Sequence, residues 1–172
     1  ATRARGLWSG PDVALLLLER GPARDLSRWL HGERPARRAQ LRVARELARA
    51  IAALHRDGLR PRDLRAENFL LDKALRATLV DLDGIAPRRR RAPALARSAR
   101  DVARLRASFP PQAPLDAGAL ELFARTYAAE RGLSAGHLRR WRQVAAARAE
   151  ELWELWRKRG LRLDADGIHE RA

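Results

Sequence analysis

Cysteine and methionine are absent from the 172 residues, lysine is nearly so, and aromatic residues make up only 5%. Without cysteine there is no disulfide, no thiolate nucleophile and no cysteine-held zinc. The longest apolar run, Val13–Leu18, falls far short of the roughly 20 residues that a membrane-spanning helix needs. It is also too short for a secretory signal and lacks a following small-residue cleavage site. His31, His55, His137 and His169 show no ligand spacing and no H-E-x-x-H pattern, so zinc hydrolysis has no support. Walker A, G-x-G-x-x-G and G-x-S-x-G signatures are missing as well. With no methionine and a start at Ala1, the sequence is expected to be a fragment of a longer chain.

What is present is arginine. Lys plus Arg number 36 against 21 Asp plus Glu, so the net charge is 36 − 21 = +15, and the isoelectric point is about 11.7. At 46% hydrophobic and 33% charged, the chain is too apolar for a disordered basic tail and long enough to bury a core. A charge of this size points toward polyanions. However, every basic residue except Lys73 and Lys158 is arginine, amid abundant alanine and leucine. That composition also follows from a GC-rich coding sequence.

The apolar pattern divides the chain. Residues 1–12, with Gly6, Gly10 and Pro11, read as loop, and Val13–Leu18 reads as a buried strand. Pro22 suits the start of a short helix reaching Leu30. Pro35 opens a longer one with Leu41, Leu47, Ile51 and Leu54 on one face, stopped by Gly58. Phe69–Leu71 and Thr78–Val80 are short apolar runs that Asp72–Arg76 can join as a hairpin. Further helices are expected over Leu95–Leu105, after the cap Asp116 as far as Gly132, and after the cap Ser134, where Leu138, Trp141, Ala145, Leu152 and Trp156 share a face. Trp141, Trp153 and Trp156 read as packing rather than as membrane anchors. Residues 164–172 read as a frayed tail. The fold class is α+β and mostly helical, with a small β-hairpin.

The chemistry gathers around that hairpin. Asp63 and Asn68 flank a polar loop leading into it, and Asp81 follows its second strand. A hairpin brings its ends together, so Asn68 and Asp81 are expected to be neighbours. An amide oxygen beside a carboxylate suits a hard cation such as Mg²⁺. Asp63 can accept a proton or orient a hydroxyl nucleophile. Such a trio is what phosphoryl transfer from a magnesium nucleotide requires.

Arg62-Asp63-Leu64 with Asn68 resembles the catalytic loop H-R-D-L-x-x-x-N of the protein-kinase-like fold, and Asp81, thirteen residues after Asn68, falls where the metal-binding D-F-G aspartate stands. Asp81-Leu82-Asp83, the short link to the next helix and the Arg/Leu-rich tail resemble the bacterial lipopolysaccharide kinase family, which includes Kdo and heptose kinases. The resemblance runs over roughly residues 13–160. It implies a C-terminal kinase lobe at residues 22–163, preceded by a hinge strand and hinge at 1–21 and followed by a tail at 164–172. Asp63 is then the base, and Arg65 neutralises the transferring phosphoryl group. Asn68 and Asp81 hold Mg²⁺. Leu70 floors the adenine pocket, Glu19, Arg20 and Gly21 offer backbone groups to adenine, and Asp25 reaches the ribose. Asp101 resembles a buried acid that hydrogen-bonds the catalytic-loop backbone. The implied substrates are ATP and an anionic glycolipid or sugar, met in the cytoplasm with peripheral contact to the inner membrane face.

The sequence departs from the pattern at Pro61, which replaces the usual histidine, and at Leu82 and Asp83, which replace phenylalanine and glycine. Asp83 reads as a solvated turn residue. No A-P-E element follows. Nor does a Gly-rich loop, strand lysine or helix glutamate precede the hinge strand, so the N-terminal lobe is expected to be missing. The basic run Arg88–Arg91 reads equally as a solvated loop and as a dock for anionic lipid phosphates or sugar carboxylates. Two alternatives stay open: a kinase of another small molecule or of protein, and an arginine-rich helical module that binds nucleic acid, for which net charge is the sole signal.

Overall fold

A computed structural model describes residues 4–9, 14–18, 24–32, 35–61, 63–80, 86–87, 94–109, 115–159, 161–164 and 167–170. Glu19, Arg20, Gly21, Asp81, Asp83 and the Arg88–Arg91 run lie outside them.

Strand β1 (Ala4–Ser9) pairs antiparallel with β2 (Ala14–Leu18), with a register irregularity between Ala4 and Gly6. The loop expected over residues 1–12 is therefore corrected over its strand portion. The basic, glycine-containing composition hides Leu7 and Trp8, whose side chains favour strands once a partner edge exists. Strand β3 (Arg24–Asp25) runs into α1 (Leu26–His31). The helix starts at Leu26 rather than near Pro22, because the Asp25 carboxylate caps it by accepting the Arg28 N–H at 2.7 Å.

Helix α2 (Arg37–Arg56) buries Val43, Ala44, Leu47, Ala48, Ile51, Ala52 and His55, and keeps Arg38, Arg42, Arg45 and Arg49 outside. Gly58 ends it with φ = 74°, a left-handed conformation that other residues adopt at a cost. Strand β4 (Leu59–Arg60) follows and pairs with β7 (Ala86–Pro87). A 3₁₀ turn (Ala66–Asn68) then feeds β5 (Phe69–Leu71), which pairs with β6 (Ala77–Leu79) as Phe69 opposite Leu79, Leu70 opposite Thr78 and Leu71 opposite Ala77. Strand β3 adds to the other edge of β5, giving a three-stranded sheet in the order β3-β5-β6.

Helices α3 (Leu95–Ala107), α4 (Ala117–Glu130) and α5 (Ala135–Lys158) complete the core. Asp116 and Ser134 cap α4 and α5 through the Ala119 and His137 N–H groups. Helix α4 packs on α2, and α5 packs on α3. Tyr127 and Trp141 stack at 4.7 Å between ring centroids, with Phe123 alongside. Trp141 is buried and donates its indole N–H to Ser98 Oγ, which is the packing role expected of it. The chain closes with a hairpin of β8 (Leu161–Asp164) and β9 (Gly167–Glu170), which corrects the expected tail over most of its length. Four-residue strands are too short to stand out from composition alone. The fold is mostly helical with a small antiparallel sheet, as an α+β class requires.

Candidate active site

The loop between β4 and β5 carries three of the expected residues, Asp63, Arg65 and Asn68. Arg65 lies between two carboxylates: its Nη2 contacts Asp63 Oδ2, and its Nη1 meets Glu67 Oε1 at 2.9 Å. Charge-assisted contacts of this kind hold an arginine in a fixed orientation. The Asp63 side chain stays 40% exposed, so it can be reached from solvent. The Asn68 side-chain amide donates to the Asp63 backbone carbonyl at 2.9 Å. Only the NH₂ of an amide can donate to a carbonyl, so Asn68 Oδ1 points elsewhere and remains a hard oxygen donor.

The Val80 N–H donates to the Asn68 carbonyl at 2.9 Å, so residue 80 sits beside Asn68; Asp81 lies outside the described residues. Among the described residues no cluster of three or more His, Asp or Glu forms a metal centre. Asn68 Oδ1 is a hard oxygen of the kind that Mg²⁺ prefers.

On the other side of the sheet, Asp25 lies directly opposite Leu70 in the β3–β5 pairing. Two residues expected at a nucleotide site thus become cross-strand neighbours. The Asp25 carboxylate serves as the α1 cap and also faces Arg28 Nε at 3.4 Å. The Leu70 side chain is half-buried between the fully covered Phe69 and Leu71.

Asp101 is fully buried, as the family resemblance implies, but its partners among the described residues are side chains. Arg60 makes a two-pronged contact, Nε to Oδ2 at 2.7 Å and Nη2 to Oδ1 at 2.5 Å. His55 Nε2 faces Oδ2 at 3.5 Å, too long for a full hydrogen bond and close enough for strong electrostatic coupling. His55 Nδ1 meets the Tyr127 hydroxyl at 2.7 Å, and Arg131 Nη1 donates to the same hydroxyl at 2.9 Å. The Tyr127 hydroxyl, which can accept and donate at once, thus joins His55 on α2 to Arg131 at the end of α4. Burial pushes the Asp101 carboxyl up, but the contacts from His55 and Arg60 outweigh it and hold the group below the usual carboxylate range. Burial lowers His55 against the opposing pull of Asp101, and burial raises Tyr127.

The backbone of the loop between β4 and β5 is held by Ser108 instead, whose Oγ accepts the Ala66 N–H at 2.8 Å. Sequence reasoning missed Arg60, His55 and Tyr127 around Asp101, Glu67 beside Arg65, and Ser108 at the Ala66 N–H. Glu67, two residues from Arg65, was the one with a local signal. A cavity of about 620 Å³ between α3, α4 and α5, lined by residues such as Leu105, Phe109, Leu138 and Trp141, holds none of the expected site residues.

The sequence pattern of the lipopolysaccharide kinase (Kdo/WaaP) family matches residues 6–127, well over half of the chain. The chain belongs to that family. No curated protein and no solved structure matches it. Membership supports a phosphotransferase activity.

Proposed function

We propose that this chain is the C-terminal lobe of a kinase that transfers the γ-phosphoryl group of ATP to a sugar hydroxyl of a lipopolysaccharide core or related glycolipid. The work would take place at the inner face of the cytoplasmic membrane. The lobe spans residues 22–163, with the hinge strand and hinge before it at 1–21. The observation that carries the reading is the Asn68 bond to the Asp63 carbonyl, together with the Val80 bond to Asn68. These contacts support a reading with a candidate base and a candidate metal ligand on one short loop, beside Val80.

In this reading Asp63 accepts the proton of the acceptor hydroxyl as its oxygen attacks the γ-phosphorus. The bond from that phosphorus to the leaving ADP oxygen breaks, and the developing charge meets the Arg65 guanidinium. Asn68 Oδ1 and the Asp81 carboxylate would hold Mg²⁺, which screens the phosphate oxygens when bound. Leu70 and Asp25 would support the adenosine, and Glu19 and Gly21 would offer backbone groups to adenine. The family supports a sugar acceptor at a general level. The Arg88–Arg91 run supplies cations suited to an anionic glycolipid and to peripheral membrane contact.

The test uses the full-length protein, radiolabelled ATP, Mg²⁺ and purified core oligosaccharide. Asp63→Ala and Asp81→Asn should each abolish transfer. Wild-type turnover in both variants sinks the mechanism, and transfer to a protein or small metabolite in place of the oligosaccharide would reassign the acceptor.

A further inference from the structure

The loop that carries Asp63 is fastened to helix α3 at two points placed evenly about that residue. Three residues before Asp63, the Arg60 guanidinium grips the buried Asp101 carboxylate at 2.7 and 2.5 Å. Three residues after it, the Ala66 N–H donates to Ser108 Oγ at 2.8 Å. The Ser108 hydroxyl gives its own proton to the Leu105 carbonyl at 2.7 Å, which fixes its rotamer and leaves a lone pair toward the loop. Ser108, the C-cap residue directly after α3, stands seven residues beyond Asp101, two turns of helix, so both lie on one side at about 10 Å spacing. Pro61 has no N–H to offer Asp101, and the Arg60 side chain supplies the donor from this end of the loop. Behind Asp101, the His55 ring on α2 lies 3.5 Å from the same carboxylate and meets the Tyr127 hydroxyl on α4, so both helices back this part of α3.

We infer that Arg60 and Ser108 are positioning residues, which clamp the Asp63 loop onto α3 and set the direction of the Asp63 carboxylate. The inference rests on the reading of Asp63 as the base. Its test has one readout that needs no turnover. Amide hydrogen exchange is followed across residues 63–68 and, as a reference, across the buried α2–α4 contact. Ser108→Ala should speed exchange of the Ala66 amide about tenfold with the reference unchanged, and Ser108→Thr should restore it. Turnover is followed with Mg²⁺, radiolabelled ATP and core oligosaccharide. In Ser108→Ala and Arg60→Met, kcat should fall at least about tenfold with KM for ATP within about twofold, the split expected of a lost transition-state alignment.

An unchanged Ala66 amide, equal acceleration at every amide, or an unchanged kcat overturns the clamp. If the wild-type protein transfers nothing, the reading of Asp63 fails by itself, and the exchange comparison alone decides whether the loop is clamped. If Arg60→Met does not fold, Arg60→Met with Asp101→Leu removes the stranded carboxylate, and the same two readouts apply.

Discussion

Asp101 keeps its charge in a place where a lone carboxylate could not. Burial penalises the charged form, and the contacts from His55 and Arg60 more than offset that penalty. Removing one partner should therefore cost much more than removing both. Arg60→Met is expected to lose about 3–5 kcal/mol in urea unfolding, and Arg60→Met with Asp101→Leu to recover most of it. Equal losses in the two proteins would show that the pair contributes packing rather than charge. His55 gives the pH dependence. Its folded value lies below the ordinary 6.5 because of burial. As pH falls below about 6.5, the unfolded chain takes up a proton that the folded chain refuses, so stability falls from there down through the folded value. Asp101, also lowered, adds a second loss at more acid pH. Thermal unfolding between about pH 7 and pH 5 should show Tm declining, and His55→Gln should flatten that decline. A profile with the same slope in the variant would remove His55 as its source.

At the scale of elements, most signals read correctly from the sequence were local. Gly58 and Gly132 stop α2 and α4 in left-handed conformations, with φ of 74° and 61°. Asp116 and Ser134 cap their helices within four residues. The β5–β6 hairpin was legible because its turn is self-contained. The Asp72 Oδ1 accepts the Ala74 and Arg76 N–H groups at 2.8 and 2.9 Å, and the Arg76 side chain returns to Oδ2. Asp72→Ala should accordingly cost about 1 kcal/mol, and, because this turn brings Val80 to Asn68, it should also lower any phosphotransfer. Urea unfolding and turnover measured on one preparation would separate the two effects. Gly58→Ala, strained at positive φ, should cost about 1 kcal/mol by the same measurement. What sequence reasoning missed depends on distance along the chain. Strand β1 is a strand only because β2 lies beside it. The Arg60–Asp101 and His55–Tyr127 contacts join residues 41 and 72 positions apart, and no spacing rule relates such residues. The resemblance gives Asp25 a place near the ribose, yet the same carboxylate is the local cap of α1, a role that its place just before Leu26 supports equally well.

Across the whole molecule the charge is one-sided, and the ion pairs do little to balance it. Arg56–Glu130 at 2.9 Å and Arg142–Glu121 at 2.6 Å tie helices together. Arg148–Glu151 and Arg157–Glu154 lie along α5. Each is at least partly exposed, and exposed pairs contribute at most about 1 kcal/mol apiece. Against them stands a net charge of +15 on 172 residues, with Arg38, Arg42 and Arg45 spaced along one exposed flank of α2 where like charges repel. The balance favours repulsion, so screening should help. Raising sodium chloride from about 20 to about 300 mM shortens the screening length from roughly 20 Å to below 10 Å, and Tm should rise over that range. A falling Tm would mean that the inter-helix pairs dominate after all. The same titration bears on why the charge is there. If the arginines serve a nucleic-acid interface, a short duplex should bind with a steep salt slope and outcompete a simple polyanion at equal charge. If they reflect coding composition and a preference for anionic glycolipid, the duplex should bind no better than that polyanion while the rise of Tm with salt persists.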